Sequence, residues 1–122
     1  MIYKFKIYPE TGTLEESFSG EITLHELRAI NDEIFADPDF RYGLNVISDV
    51  REAEINFGYD VMLAHMHSLP PLKFGKHAIV VSNKVMFGMI RMHITVTQDA
   101  ELYEKSEPFY SLEEARDWIR GS

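Results

Sequence analysis

The stretch Tyr42–Arg51 constrains the fold more than any other part of the chain. Its apolar run contains Leu44, Val46 and Ile47, and Gly43 stands before it. Two of the three apolar residues are β-branched, which favours a strand. A short, almost continuously apolar run of this kind predicts a strand that is buried on both faces of a parallel sheet. We therefore place this strand at the centre of the fold. The residues predicted to form the core are Leu27, Ile30, Leu44, Val46, Ile47, Ile79, Val81 and Trp118.

Asp49 and Arg51 come next and predict where a functional edge lies. The apolar run gives way to these two opposite charges, and a polar loop over Glu52–Asn56 is expected to follow. Because binding sites in open α/β sheets lie beyond the carboxyl ends of strands, one interpretation is a small polar site for a ligand or a partner's side chain. The structural alternative is that Asp49 accepts backbone N–H bonds, while Arg51 pairs with an acid such as Glu52 or Glu54.

An antiparallel hairpin is predicted before the central strand. Apolar and polar side chains alternate over Tyr3–Tyr8 and again over Thr13–Ser19, which is typical of half-exposed strands. Between them, Pro9 and Gly12 favour a turn, since Pro fixes φ and Gly tolerates positive φ. Gly20 then breaks the alternation. One face of the second strand is shared by Leu14, Glu16 and Phe18.

Four helices are predicted, because apolar residues recur at helical spacing. Capping boxes begin at Thr23 before the first helix and at Ser111 before the last, and Asn56 can cap the second. Two further strands are expected, a continuously apolar one at His77–Val81 and a short one at Phe109-Tyr110. The predicted helices are about Leu24–Phe35, about Phe57–Leu69, Lys84–Thr97 and a last helix that begins after Ser111. The resulting order, β-β-α-β-α-β-α-β-α, predicts an α/β fold with a mostly parallel five-stranded sheet and right-handed crossovers.

The charge balance excludes several classes of partner. The 122 residues carry a formal net charge of −8 at pH 7, whereas nucleic-acid binding and docking to anionic membranes both require basic surfaces. No apolar run reaches the ~20 residues of a membrane-spanning helix, and the N-terminus lacks the apolar core of a signal peptide. We therefore expect no nucleic-acid partner, no membrane insertion, and a single cytoplasmic domain over residues 1–122.

No residue pattern points to catalysis, to a metal or to a cofactor. The chain has no cysteine, which excludes thiolate ligands and a cysteine nucleophile. Its five histidines show no metal-binding spacing, since His65 and His67 diverge on a helix and the others lie on separate elements. Ser48 has no base evident in the sequence, and no Gly-rich phosphate loop occurs. The prediction is a non-enzymatic protein without cofactors.

The predicted helix Lys84–Thr97 is apolar around most of its circumference, which predicts cover on more than one side. Methionine suits adaptable binding surfaces and equally fills gaps in cores. Three interpretations therefore stay open: ordinary core, a homo-oligomer interface, and a pocket for an apolar ligand. Gly88 would let a second backbone come close, either that of a partner or that of its own sheet. The residues assigned to an interface or pocket are Met62, Met66, Met86, Phe87, Met89 and Ile90.

Four short motifs mark the chain: FSGEIT at residues 18–23, SDVR at 48–51, FGMIRM at 87–92 and FYSLEEARDWI at 109–119. In order and spacing they resemble the SpoIIAA-like (STAS) superfamily, in particular its small stand-alone bacterial branch of unknown function. The resemblance covers nearly the whole chain. It implies a SpoIIAA-like fold in which helices flank the sheet, in a family that lacks a general catalytic site.

One departure from this superfamily concerns regulation. Its anti-sigma-factor antagonists carry a phosphorylatable serine at the start of the second helix. The corresponding stretch here, residues 55–59, contains Gly58 but no serine or threonine. No phosphorylation switch of that type is therefore expected.

The combined interpretation is a non-enzymatic module that acts through protein–protein contact, as a homodimer and with a possible protein partner. The alternative is a binding protein or sensor for a small apolar or amphipathic ligand, held beside the Met-rich helices. The predicted edge for a ligand or partner comprises Asp49, Arg51 and Tyr59.

Overall fold

The computed structural model describes residues 2–55, 61, 64, 74–97 and 102–121. In these ranges the chain forms five strands and three helices. The strands are β1 (Ile2–Tyr8), β2 (Thr13–Ile22), β3 (Asn45–Ile55), β4 (Phe74–Val80) and β5 (Tyr103–Phe109). The helices are α1 (Leu24–Ala36), α2 (Lys84–Thr97) and α3 (Leu112–Gly121).

The five strands form one sheet in the order β1-β2-β3-β4-β5. Strands β1 and β2 pair antiparallel, and all other neighbours pair parallel. Gly12 makes the hairpin turn possible, because its φ of 65° lies in the left-handed region that other residues avoid. The predicted α/β class, the initial hairpin and the mostly parallel five-stranded sheet are confirmed.

Helices cover both faces of the sheet. We call the face that carries Leu14, Val46 and Ile79 the major face; it packs against Ile30 of α1 and Ile90 of α2. We call the opposite face, which carries Ile47, Ala78 and Val80, the minor face; it packs against Ala115 of α3. Burial on both faces explains the short apolar runs Val46–Ile47 in β3 and Ala78–Val80 in β4.

Each helix begins at a residue that caps its first turn. The side chains of Thr23, Asn83 and Ser111 each accept the backbone N–H of the residue three positions later, at 2.9–3.2 Å. This contact satisfies one of the donors that the first helical turn leaves without an intrahelical acceptor. The starts of α1 and α3 therefore agree with the predicted capping boxes.

The sequence-based core is largely confirmed. Leu27 and Trp118, also expected in the core, are only partly buried, although both pack against it. The predicted core residues that are buried, with at most 7% of their surface exposed, are Ile30, Leu44, Val46, Ile47, Ile79 and Val81.

Several predicted strand ends were wrong, because strands pair further than their apolar runs reach. Strand β3 continues through the expected polar loop as far as Ile55, and β2 continues past Gly20 to Ile22. The two extensions pair with each other, so neighbouring backbone groups satisfy their hydrogen bonds although the side chains are charged. Strands β4 and β5 likewise begin earlier than predicted, at Phe74 and Tyr103.

The predicted second helix, with Tyr59, Met62 and Met66, lies outside the described residues. The exceptions within its range are Val61 and Ala64, which are helical. Among the described residues, no helix is both long and apolar enough to cross a membrane.

Candidate functional site

Five polar side chains, one from each strand, lie together on the otherwise apolar major face. They are Tyr3, Glu16, Ser48, His77 and Tyr103, and we call them the polar row. Polar groups on a buried sheet face reduce stability unless they are hydrogen-bonded, so a row across a whole sheet requires an explanation.

Hydrogen bonds join the centre of the polar row. The Oγ of Ser48 lies 2.5 Å from Oε2 of Glu16 and 2.8 Å from Nε2 of His77. The hydroxyl of Tyr3 donates to Oε1 of Glu16 over 3.4 Å. The Tyr103 ring stacks on the imidazole of His77, with ring centroids 4.0 Å apart and planes 17° apart.

The strand register brings these residues together. Glu16 and Ser48 are direct neighbours in the parallel pairing of β2 with β3. His77 is the neighbour of Val46, two positions before Ser48 on the same face of β3, and so reaches Ser48 diagonally. Alternation of side chains along each strand then keeps all three groups on the major face.

Burial shifts the pKa values of Glu16 and His77 in opposite directions. It raises the pKa of Glu16 to about 7, and hydrogen bonds from Ser48 and Tyr3 offset only part of that rise. Burial also lowers the pKa of His77 to about 3. The pKa values of Tyr3 and Tyr103 are raised, first by burial and then by the negative charge of Glu16. At neutral pH, His77 and both tyrosines are therefore uncharged, and Glu16 is close to its titration midpoint.

These groups are deep in the protein and still accessible. Glu16 and His77 are surrounded by protein atoms, yet each keeps part of its solvent-accessible surface. Tyr3 and Tyr103 at the two ends of the row are also only partly buried, whereas Ser48 is 5% exposed. Deep titratable groups that border accessible space make the polar row a candidate binding or catalytic site.

The hydroxyl of Ser48 has a single hydrogen, so it can donate to only one of its two partners, Glu16 or His77. When Glu16 is ionised, Ser48 donates to it, and His77 donates its Nε2 hydrogen to Ser48. When Glu16 is protonated and carries its hydrogen on Oε2, Ser48 accepts from Glu16 and donates to Nε2 of His77. The donor in each of these two contacts therefore depends on the protonation of Glu16 and on the tautomer of His77.

Asp49 and Arg51, two residues of the predicted edge, lie within β3 rather than beyond its end. Their side chains bind each other, with Nε and Nη2 of Arg51 at 2.9 and 2.8 Å from the two Asp49 oxygens. Arg51 therefore pairs with Asp49 and not with Glu52 or Glu54, and its side-chain hydrogen bonds lower the pKa of Asp49. Asp49 also accepts the backbone N–H of Arg51, as the structural alternative expected.

Of the predicted interface residues in helix α2, some lie in the core and others at the surface. Ile90 is buried, and Met86 and Phe87 pack partly against the core, whereas Met89 is 37% exposed. Met89 shares one helix face with two further exposed apolar residues. We call this face the α2 stripe, and it comprises Val85, Met89 and Met92, of which Val85 is 75% and Met92 56% exposed.

The polar row was not predicted, although one signal for it is present in the sequence. Glu16 stands between Leu14 and Phe18 on the face of β2 that was expected to be apolar. A carboxyl group in such a position requires a partner, and only strand pairing identifies that partner as Ser48.

No group of three or more His, Asp or Glu side chains that could hold a metal occurs among the described residues.

Comparisons with known proteins bear on the fold. No protein-family model and no curated protein sequence matches the chain. The structure is similar to the crystal structure of an uncharacterised protein of the DUF3478 family, with a SpoIIAA-like fold, from Shewanella loihica PV-4. The two share 15% identity and a TM-score of 0.65, over 96% of this chain and 93% of the other. Together with the strand order and the helices on both sheet faces, this similarity shows that the chain has a SpoIIAA-like fold.

Proposed function

We propose that this chain is a non-enzymatic, single-domain module of the cytoplasm that binds a small amphipathic molecule on the major face of its sheet. The observation that carries the proposal is the polar row, which places hydrogen-bonding groups deep in an apolar face where they remain accessible. Sites of this composition, mostly apolar with a few convergent polar groups, are typical of small-molecule binding.

The apolar part of such a ligand would meet aromatic side chains on both sides of the row. Tyr3 lies 5.0 Å from the ring of Phe18 at one end. At the other end, Tyr103 stacks on Phe74 with ring centroids 5.5 Å apart. The partly exposed rings of Tyr3 and Tyr103 offer apolar contact area, while Glu16 and His77 between them keep part of their surface accessible for hydrogen bonds.

Binding rather than catalysis is favoured by the chemistry of Ser48. A serine nucleophile requires access to the substrate and a base with a pKa close to the working pH. Ser48 is almost fully buried, and His77, with a pKa of about 3, is too weak a base near neutral pH. Glu16, with a pKa of about 7, meets the requirement for a base, but the burial of Ser48 leaves the requirement for access unmet.

Native mass spectrometry of the protein purified from its own host tests the proposal. We expect the wild-type protein to retain a small molecule, seen as mass beyond that of the chain. Ser48→Ala should lose this mass, because it removes the hydroxyl that joins Glu16 to His77. Ser82→Ala, which removes an exposed hydroxyl in a turn, should keep it. A dimer without added mass would contradict ligand binding and favour the second candidate below.

Self-association is the second candidate function, and the α2 stripe favours it. Val85, Met89 and Met92 expose apolar surface on a helix whose other side packs against the core. Gly88 is exposed on the same helix, and a Cβ added there would meet no described atom outside its own helix within 4 Å. The described part of the sheet therefore gives no packing reason for this glycine. A two-fold dimer through α2 would bury the stripe and use the space beside Gly88.

Sedimentation equilibrium at micromolar concentration measures this association. We expect the wild-type protein to be dimeric and Met89→Lys to be a folded monomer, because a charge in the centre of the stripe would lose its hydration in the interface. Ile2→Lys is the comparison variant, since it places the same charge on a 66%-exposed apolar residue at the edge strand β1. A monomeric wild type, or a dimer that survives Met89→Lys, would contradict the α2 interface.

A further inference from the structure

Glu16 has no cationic partner among the residues that the structure describes. Its hydrogen-bond partners are two hydroxyls, that of Ser48 at 2.5 Å and that of Tyr3 at 3.4 Å. The chain does pair acids with arginines elsewhere, as in the ion pair between Asp49 and Arg51. A buried carboxylate is destabilised when no positive charge accompanies it, so the ionised form of Glu16 has an unmet requirement for a cation.

Aromatic rings stand beside this carboxyl group. Phe5 lies directly opposite Glu16 in the antiparallel pair of β1 with β2. The ring of Tyr3 is 5.9 Å from that of Phe5 and 5.0 Å from that of Phe18, so three rings cluster next to Glu16. The faces of aromatic rings attract cations, and a nearby carboxylate adds the opposite charge. An anionic head group would be repelled by both features.

Glu16 thus combines a carboxyl group that has no cationic partner in the described part of the chain with three neighbouring aromatic rings. From this juxtaposition, we infer that the polar row binds the cationic head of an organic amine. The inference rests on the proposed function and narrows it to a protonated or quaternary ammonium head at Glu16, with the rest of the molecule along the rings. The formal net charge of −8 attracts cations to the protein as a whole. The competing arrangement is a permanently protonated Glu16 that donates to Ser48 and requires no cation.

The test is a titration of the isotope-labelled full chain at pH 8, followed by amide chemical shifts. The probes are choline and its uncharged isostere 3,3-dimethylbutan-1-ol, which differ only in the charge of the head group. We expect choline to shift the amides of Glu16, Ser48 and His77, and to bind about tenfold more tightly than the alcohol, since a desolvated cation–π and ion-pair contact contributes on the order of 1.4 kcal/mol.

Two variants of β2 locate the effect. Glu16→Gln should abolish the preference for choline, because the amide keeps the shape of the side chain and removes its charge. Glu15→Gln should retain the preference, since Glu15 is the next residue but pairs with Arg116 of α3 instead. The inference would be overturned if choline did not bind or if both probes bound equally well. It would also be overturned if the shifted amides lay away from the polar row, or if the preference for choline survived Glu16→Gln. If the wild-type protein retains a small molecule in native mass spectrometry and any of these results is also found, the proposed ligand-binding function is supported and an organic amine is excluded as the ligand.

Discussion

Val46→Asp is expected to leave the chain unfolded in water. Val46 is 2% exposed and lies in the central strand β3, where Leu14 and His77 are its neighbours on β2 and β4. A carboxylate there would be buried without a cation, which costs several kcal/mol, and it would also leave a gap in the packing. Since the stability of a domain is typically about 5–15 kcal/mol, this single change removes most of it. Far-ultraviolet circular dichroism and thermal melting measure the outcome.

Ile2→Asp is the comparison for this experiment, because it introduces the same carboxylate at a 66%-exposed position in the edge strand β1. The carboxylate stays hydrated there, so the melting temperature should change little. A soluble Val46→Asp protein that melts cooperatively near the wild-type temperature would show that β3 is not the centre of the core.

The fold could be predicted from the sequence because its signals are local. The apolar run Leu44–Ile47, the alternation in the hairpin and the capping residues Thr23 and Ser111 each act over a few neighbouring positions. Hydrophobic periodicity and capping of this kind report secondary structure directly, and the order of the elements then leaves few topologies. The residues at the centres of β1, β2, β3 and β4 were therefore identified correctly, whereas the predicted last strand overlaps β5 only at Phe109.

Strand ends were harder to predict, because pairing between strands decides them. Glu52 and Glu54 are charged and exposed, yet they continue β3 because β2 provides hydrogen-bond partners along the same length. Charged side chains can alternate with buried ones such as Ala53 without disturbing the ladder. Side-chain polarity alone therefore does not predict the last residue of a strand when the neighbouring strand continues to pair with it.

The polar row could not be predicted, because its contacts join distant parts of the chain. Ser48 binds a carboxyl group 32 residues before it and an imidazole 29 residues after it. A sequence pattern places Glu16 on a face of its strand, but only the register of β2 with β3 identifies the atom opposite. In the sequence, Ser48 and His77 are each a polar residue beside an apolar run, with no sign that they contact each other. Their shared chemistry appears only when the strands are side by side.

The opposite pKa shifts of Glu16 and His77 predict how stability depends on pH. Burial lowers the pKa of His77 from 6.5 to about 3, so the unfolded chain binds the proton first and stability falls as pH drops from 6.5 towards 3. The pKa of Glu16 is raised from 4.5 to about 7, so the unfolded chain loses its proton first and stability falls as pH rises through that range. Between pH 4.5 and 6.5 the two effects oppose each other in the wild-type protein.

Glu16→Gln should separate these effects, because glutamine resembles the protonated side chain at every pH. The stability of the variant relative to the wild type should rise between pH 4.5 and 7, by up to roughly 3 kcal/mol for a pKa difference of this size. Urea unfolding measured at intervals from pH 4 to 8 gives this difference directly. Glu15→Gln should show the opposite sign at neutral pH, since it removes a carboxylate that is paired with Arg116. A difference between Glu16→Gln and the wild type that does not change with pH would mean that Glu16 titrates as it does in water, and the polar row would then be open to bulk solvent rather than deep in the protein.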